Sequence, residues 1–338
     1  MFGIAAEIQD PNGFVWALCQ SLDGSGTVSQ VQSDLVHRFP ELSADDVAQA
    51  IEALNRAGHL EDLDTPRPAE ITPSRAERYQ RSHSFYRWVD LRANADAWSA
   101  QVSLLRARVL VIGTGGGGTA ASIALGLSGV GTMHLVDPDT VQSSNLNRQL
   151  AFTESDIGLP KSQVLAEFIS ARNSDVSVTH SQAWVDTEEK LAALLEDVDL
   201  LVMSADEPAG ILHLVNRVCH TTGTPWVFGG YQGPFLMVGS FRPGAGPCYD
   251  CMQHQEKAKG AELGLPDRDP GLVRGRSPGV VAASSSIVGN MIAHIAVSML
   301  TGIPRLQQNC VYTQNLVTMA DSEILVARER RADCDVCS

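Results

Sequence analysis

The chain has 338 residues, of which 44% are hydrophobic and 19% charged, a composition typical of an ordinary globular protein. Its formal net charge of −14 argues against nucleic acid or an anionic membrane as partner, because either would need a basic surface. No stretch of eighteen uninterrupted apolar residues occurs and the N-terminus lacks a basic region with a cleavage site, so we expect a cytoplasmic protein.

The first predicted unit is a small helical module over residues 1–64. Two sets of apolar residues recur at helical spacing: Val31, Leu35 and Val36, then Val47, Ala50, Ile51 and Leu54. Ser43 is a suitable N-cap for the second helix, and Gly58 a suitable stop. Residues 59–63 predict a short strand, which would complete a winged-helix-like module.

Three interpretations of this module stay open. It could be an accessory helical pair, a DNA-reading module or a peptide-recognition module. The acid-rich composition of residues 40–63 disfavours DNA. The pattern LDG-x-x-TV, followed by L-x-x-x-G-x-L, resembles the PqqD-like recognition modules of peptide-modifying enzymes. That resemblance implies a peptide-docking role.

A predicted linker over residues 65–84 leads into a large domain over 85–338. Three prolines and no periodicity between residues 64 and 75 indicate the linker, and a polar, arginine-bearing helix follows from residue 76. From residue 108 apolar strands alternate with helical patterns as far as PWVFGG at 225–230. This alternation predicts a doubly wound α/β fold, a mostly parallel Rossmann-like sheet with helices on both faces.

A glycine-rich turn joins the first strand of this domain to the next helix. It has five glycines, of which Gly113, Gly115, Gly116 and Gly118 match the positions of a known motif. This is the pattern of a dinucleotide-binding turn, where glycines permit a tight turn and close approach to phosphate. Asp137 ends the next strand, at the place of an acid that binds ribose. On these residues alone, a nicotinamide or flavin dehydrogenase is the default interpretation.

The residues after the second strand favour a different use of the phosphate. Six polar side chains lie within twenty-five residues: Asp137, Asp139, Asn145, Arg148, Gln149 and Lys161. Recognition of adenosine requires less polarity than this. Neutralising a triphosphate and its leaving pyrophosphate requires such cations, so we expect the turn to bind ATP.

Four motifs resemble those of the ThiF/MoeB/HesA adenylyltransferases, relatives of the ubiquitin-activating enzymes. The motifs are GTGGGG (113–118), DPDTV (137–141), SNLNRQ (144–149) and PK (160–161). The resemblance also covers GPCYDC and the small-residue stretch 277–291. It implies that the glycine turn, Asp137, Asp139, Asn145 and Gln149 bind the nucleotide. It further implies that Arg148 and Lys161 contact the phosphates and that Asp206 holds Mg²⁺.

The family arginine commonly reaches across a homodimer, so the resemblance also implies dimerisation. One motif departs from the family pattern. The family continues D-N-x-x-x-R, whereas this chain has Asp206-Glu207 and places Ile211 at the arginine position.

Two widely separated CxxC pairs predict a structural zinc site. The pairs are Cys248 with Cys251 and Cys334 with Cys337. Four thiolates suit a closed tetrahedral zinc with no open position for catalysis.

The remaining cysteines, Cys19, Cys219 and Cys310, lie in apolar patterns and are expected to be buried. The loop 252–276, where some relatives carry a thioester cysteine, has none, and we expect it to be a lid. His254 and His294 are expected to be structural or solvated, and residues 231–235 to line an acceptor pocket.

Together these features predict ATP-dependent adenylation of a carboxylate without an enzyme thioester. The N-terminal module, together with a resemblance to microcin-type maturation enzymes, favours a ribosomally made peptide as substrate. Two alternatives stay open. One is an adenylyltransferase for a ubiquitin-like sulfur-carrier protein; the other is a non-catalytic, leader-peptide-binding partner of a cyclodehydratase.

Overall fold

The computed structural model describes residues 8–62, 65–90, 92, 96–262, 279–320, 322–327 and 329–338. It divides into two compact units, Met1–Val102 and Ser103–Ser338. The first unit therefore takes in residues beyond the module predicted at 1–64.

The regular secondary structure in the described part of the first unit is all helical. Its helices are α1 (Phe14–Ser21), α2 (Val28–Arg38), α3 (Ala44–Arg56), α4 (Pro73–Arg78) and α5 (Gln80–Val89), and α6 (Ala97–Arg106) crosses into the second unit. Helices α2 and α3 are the two predicted helices, and Ser43 caps α3 by accepting a hydrogen bond from the Asp46 N–H. The core is formed by Phe14, Ala17, Leu18, Val31, Leu35, Val47 and Leu54.

Two expectations about the first unit, the strand at 59–63 and the burial of Cys19, were wrong. Residues 59–62 form no strand. The prediction failed because an alternating pattern of three or four residues is too short to distinguish a strand from irregular chain. The segment predicted as a linker, 65–84, contains α4 and the beginning of α5. Cys19 is exposed, because it lies on the face of α1 opposite the buried Ala17 and Leu18.

The second unit is built on a twisted sheet of eight strands in the described part of the chain. The strands are β1 (Arg108–Ile112), β2 (Thr132–Val136), β3 (Ser177–Ser181), β4 (Leu200–Met203), β5 (Trp226–Gln232), β6 (Phe235–Phe241), β7 (Cys310–Asn315) and β8 (Glu323–Val326). They lie in the order β3-β2-β1-β4-β5-β6-β7-β8. Strands β1 to β5 pair in parallel, and β6 to β8 continue the sheet in antiparallel pairing.

Helices cover both faces of this sheet. They are α7 (Gly116–Leu127), α8 (Lys161–Ser170), α9 (Glu188–Leu194), α10 (Ile211–Thr222), α11 (Tyr249–Glu262) and α12 (Ala282–Thr301). On one face Leu110 and Leu201 pack in a cluster with buried residues of α9 and α10. Successive side chains of a strand point to opposite faces, so Val109 and Val111 face the other layer. The predicted doubly wound α/β fold is confirmed.

Helix α12 is long and apolar enough to cross a membrane by length and composition, but 61% of that apolar window is buried inside the protein. Gly289 lets it approach α7 closely, because a Cβ at this position would collide with the Gly117 carbonyl. Helix α11 occupies the first part of the loop 252–276 that was expected to be a lid. Residues 263–276 of that loop lie outside the described residues.

Candidate active site

The glycine turn lies at the carboxyl edge of the parallel strands, where α/β sheets bind ligands. Gly113 follows β1 with a φ of +90°, which favours glycine, and a Cβ there would lie 2.5 Å from the Ala205 N. Gly118 faces Gly113, and a Cβ on Gly118 would collide with the Gly113 carbonyl. A Cβ on Gly115, in contrast, would meet no atom within 4 Å. The turn is therefore closed on its inner side and open at Gly115.

Asp137 lies beside this turn and is held by hydrogen bonds. Its Oδ2 accepts from the Thr114 N–H at 2.5 Å and from the Thr114 hydroxyl at 2.9 Å. Its Oδ1 accepts from the Asp139 N–H at 2.9 Å. A carboxylate offers about four acceptor positions, so one remains for a ligand hydroxyl. Thr114 was not singled out from the sequence, although its place inside the glycine motif was the available signal.

Lys161 and Asp139 form an ion pair next to Asp137. The Lys161 Nζ lies 2.7 Å from the Asp139 Oδ2, and the Lys161 side chain is 8% exposed while that of Asp139 is 54% exposed. The two backbones also meet, since the Lys161 N–H donates to the Asp139 carbonyl at 3.0 Å. A buried ammonium is thus fixed at the beginning of α8.

Asn145 and Gln149, near the two ends of the 144–149 motif, are both buried. The Asn145 Oδ1 accepts from the Gln142 N–H at 2.9 Å, so this side chain shapes the loop. The Gln149 Oε1 has no hydrogen-bond partner in the described structure. A buried unpartnered oxygen of this kind costs folding free energy unless a ligand or water satisfies it.

Arg148 lies over the beginning of α7. Its Cγ would be 3.6 Å from a Cβ on Gly116, and its Nη1 donates to the Ser144 carbonyl at 2.8 Å. Its Nε is buried without a partner in the described structure. Arg148 thus lies beside the glycine turn of its own chain, and both dimerisation and the reach of Arg148 across a homodimer stay predictions.

Asp206 follows β4 and is exposed at the same edge of the sheet. It acts electrostatically on Tyr231 at the end of β5, and so does Arg148. Burial raises the pKa of the Tyr231 phenol, and the Arg148 guanidinium opposes that shift. Ile211, at the family's arginine position, is buried in the apolar cluster under β4. The side chain at that position therefore carries no charge.

The four cysteines of the two CxxC pairs come together below the sheet. All are buried, and their Sγ atoms lie within 4.8 Å of one another. The Cys248–Cys334 and Cys251–Cys337 Sγ distances are 3.6 and 3.5 Å, and the Cys248–Cys251 distance is 3.9 Å. A tetrahedron with Zn–S bonds of about 2.3 Å has edges of about 3.8 Å, whereas a disulfide measures about 2.0 Å. The donor set and spacing fit one zinc ion.

Two other cysteines of this unit are unsuited to covalent catalysis. Cys219 and Cys310 are buried, as predicted, and burial raises the pKa of each thiol. Neither thiol offers an accessible thiolate.

Comparison with known proteins gives matches of three kinds. The profile of the ThiF family matches residues 89–336. An adenylyltransferase and sulfurtransferase of Dictyostelium discoideum is 36% identical over 154 residues, which are 46% of this chain and 36% of that protein. The sulfur carrier protein ThiS adenylyltransferase of Escherichia coli K12 is 32% identical over 210 residues, which are 61% of this chain and 77% of that protein. The chain thus spans about a third of one relative and about three quarters of the other.

Among solved structures, E. coli MccB with AMPCPP and MccA superposes with a TM-score of 0.79 at 21% identity. The superposition covers 100% of this chain and 94% of that chain. At this identity the likeness establishes the fold.

Proposed function

Because the chain belongs to the ThiF family, we propose that it transfers AMP from ATP to a carboxylate of a peptide or small protein. The observation that carries this proposal is that Asp137 and Arg148 lie against one glycine turn, with Lys161 joined to Asp137 through Asp139. Family membership gives the reaction class, and these side chains supply the groups that the reaction needs.

The nucleotide would bind with its ribose at Asp137 and its phosphates at the N-terminus of α7. The remaining acceptor position of the Asp137 carboxylate would take a ribose hydroxyl. The first N–H groups of α7 and the helix dipole favour an anion beside Gly115, where the turn is open. Lys161 and Arg148 would add positive charge around the phosphates.

In the chemical step a substrate carboxylate oxygen would attack the α-phosphorus. A new P–O bond forms, the bond between the α-phosphorus and its bridging oxygen breaks, and pyrophosphate leaves with the electron pair. Catalysis requires positioning and charge neutralisation more than covalent protein chemistry. Because the family thioester loop 252–276 lacks cysteine and Cys219 and Cys310 are buried, the acyl-adenylate would be the activated product.

Asp206 fits the binding of Mg²⁺ with the phosphates. Mg²⁺ takes one or two protein carboxylates and completes its shell with phosphate oxygens and water, and Asp206 is an exposed carboxylate at the ligand edge. The ion would neutralise phosphate charge. Tyr231, close to both Asp206 and Arg148, would bound the site on the acceptor side.

A peptide is the substrate that we favour. The superposition on MccB, which was crystallised with the peptide MccA, extends over the whole chain and so includes the N-terminal helical unit. A role of that unit in docking a ribosomally made peptide accords with its PqqD-like pattern. The second candidate substrate is a sulfur-carrier protein, which is the substrate named for the E. coli ThiS adenylyltransferase. We also propose that the protein is cytoplasmic and that it forms a homodimer. Light scattering would measure the mass of the assembly in solution and so test the dimer.

ATP–pyrophosphate exchange tests the proposal. Radiolabelled pyrophosphate would enter ATP only when a cognate carboxylate is present, so candidate precursor peptides and Gly-Gly-ended carrier proteins are compared directly. Exchange with a peptide supports the first candidate, and exchange with a carrier alone supports the second. If neither gives exchange while the chain binds a leader peptide tightly, it acts as a non-catalytic peptide presenter. The buried Ile211 in place of an arginine makes this outcome worth testing.

A further inference from the structure

Helix α12 brings a buried hydroxyl to the beginning of α7. Ser285 is 0% exposed, and a Cβ built on Gly116 would collide with its Oγ. This Oγ has no hydrogen-bond partner in the described structure. Its neighbour Ser284 differs, since the Ser284 Oγ donates to the Val281 carbonyl at 3.0 Å.

A second unpartnered polar atom borders the same point. The Arg148 side chain passes over Gly116, and its Nε is buried without a partner. Three kinds of hydrogen-bonding group therefore lie around Gly116: the Arg148 Nε–H, the Ser285 hydroxyl and the free N–H groups at the beginning of the twelve-residue helix α7. Each of these groups hydrogen-bonds an anion well, and buried polar groups left without a partner are uncommon.

We propose that Ser285 is a phosphate-binding residue of the nucleotide site, an inference that rests on the proposed ATP-dependent function. In the described conformation the Arg148 side chain passes close to Gly116, the residue against which the Ser285 hydroxyl packs. Arg148 is only half-buried, and a long, flexible side chain can shift at small cost. When a phosphate group displaces it, the Ser285 hydroxyl donates to a phosphate oxygen and the Arg148 Nε–H donates to the same group.

The proposal predicts opposite effects of one substitution on stability and on binding. Ser285→Ala removes a buried hydroxyl that has no partner, so the melting temperature of the ligand-free protein stays the same or rises. The same change removes one hydrogen bond to a charged phosphate, so ATP affinity falls about tenfold. A residue that only packed α12 against α7 would not weaken ATP binding while preserving stability.

Calorimetric titration of the full chain with ATP and with adenosine tests this. We expect Ser285→Ala to weaken ATP binding and to leave adenosine binding within about twofold of the wild type. Ser286→Ala is the matched control, because Ser286 is the next residue on α12 and is not fully buried. Ser285→Cys, which keeps the volume and a weak donor, should give an intermediate ATP affinity.

The outcomes separate the two proposals. Wild-type affinity for ATP in Ser285→Ala, or an equal loss of ATP and adenosine binding, overturns the role of Ser285 and leaves the proposed function standing. A wild-type chain that binds no ATP overturns both.

Discussion

The Lys161 ammonium lies 2.7 Å from the Asp139 carboxylate, in a site where the lysine is buried and the aspartate is half exposed. The ion pair fixes the position of the Lys161 ammonium at the edge of the sheet even before a ligand binds. Phosphate oxygens would compete with Asp139 for the same ammonium, so the resting ion pair keeps the Lys161 side chain oriented for the nucleotide.

Lys161→Ala should therefore abolish most adenylation. We expect ATP–pyrophosphate exchange to fall about 100-fold or more, because positive charge is lost where negative charge develops. Lys190→Ala is the control: Lys190 forms an equally short pair with Asp186, 2.6 Å long, but on an exposed helix surface. Exchange by Lys161→Ala at the wild-type rate would contradict the assignment of this lysine.

The four-cysteine cluster should contain one zinc ion per chain, measured by inductively coupled plasma mass spectrometry. Cys251→Ser should lose the metal and lower the free energy of unfolding by about 3 kcal/mol or more, because a structural zinc contributes its binding energy to folding. Cys19→Ser should keep both metal and stability, since Cys19 is exposed and lies outside the cluster. A metal-free wild-type protein of full stability would rule out the zinc site.

His134 should make the second unit less stable in acid. Burial lowers its pKa, and the neighbouring His180 acts in the same direction. In the unfolded chain a histidine titrates near pH 6.5, so below that pH the unfolded state binds more protons and stability falls.

Urea denaturation at pH 7, 6 and 5 measures this effect. His134→Gln should flatten the loss of stability as the pH falls, whereas His254→Gln, at an exposed position, should follow the wild type. Parallel curves for His134→Gln and the wild type would exclude His134 as a source of acid sensitivity.

Gly116 and Ser285 should be energetically coupled. Gly116→Ala drives a methyl group into the Ser285 hydroxyl, and we expect it to lower the free energy of unfolding by about 1–3 kcal/mol. In the Ser285→Ala background the loss should be about 1 kcal/mol smaller, because the nearest atom is gone. Gly115→Ala provides the control, since its φ is −65° and a Cβ there meets nothing within 4 Å. Strict additivity of the two changes would show that the two positions do not touch.

Local signals and strand burial made much of the fold predictable. Ser43 marks the beginning of α3, because its side chain caps a backbone N–H only three residues further along the chain. Strand β4 is an uninterrupted run of apolar residues in the sequence, and all of them are buried. The strand predicted at 59–63 does not form over its described part, residues 59–62, because the pattern is short and no strand of the described residues pairs with it.

Part of the candidate site could likewise be predicted from local motifs, whereas the rest depends on contacts between distant parts of the chain. Asp137 and Lys161 stand in motifs next to the elements that position them. The contact between Gly116 and Ser285 joins positions far apart in the chain, and only the small-residue run AASSS hinted at a close helix crossing. Ion pairing of Lys161 with Asp139 likewise depends on how α8 begins against the loop after β2.

Each cysteine of the first CxxC pair contacts a cysteine of the second pair that lies 86 residues further along the chain. The segment between the two pairs contains α12 and the strands β7 and β8. A metal bridge across such a span closes a long loop in the unfolded ensemble, for which a covalent link would be worth on the order of 4 kcal/mol of chain entropy. The helix that carries Ser285 belongs to that loop. Loss of the metal should thus favour unfolding of the segment that supplies one wall of the proposed nucleotide site, although the four metal-binding cysteines lie outside α12.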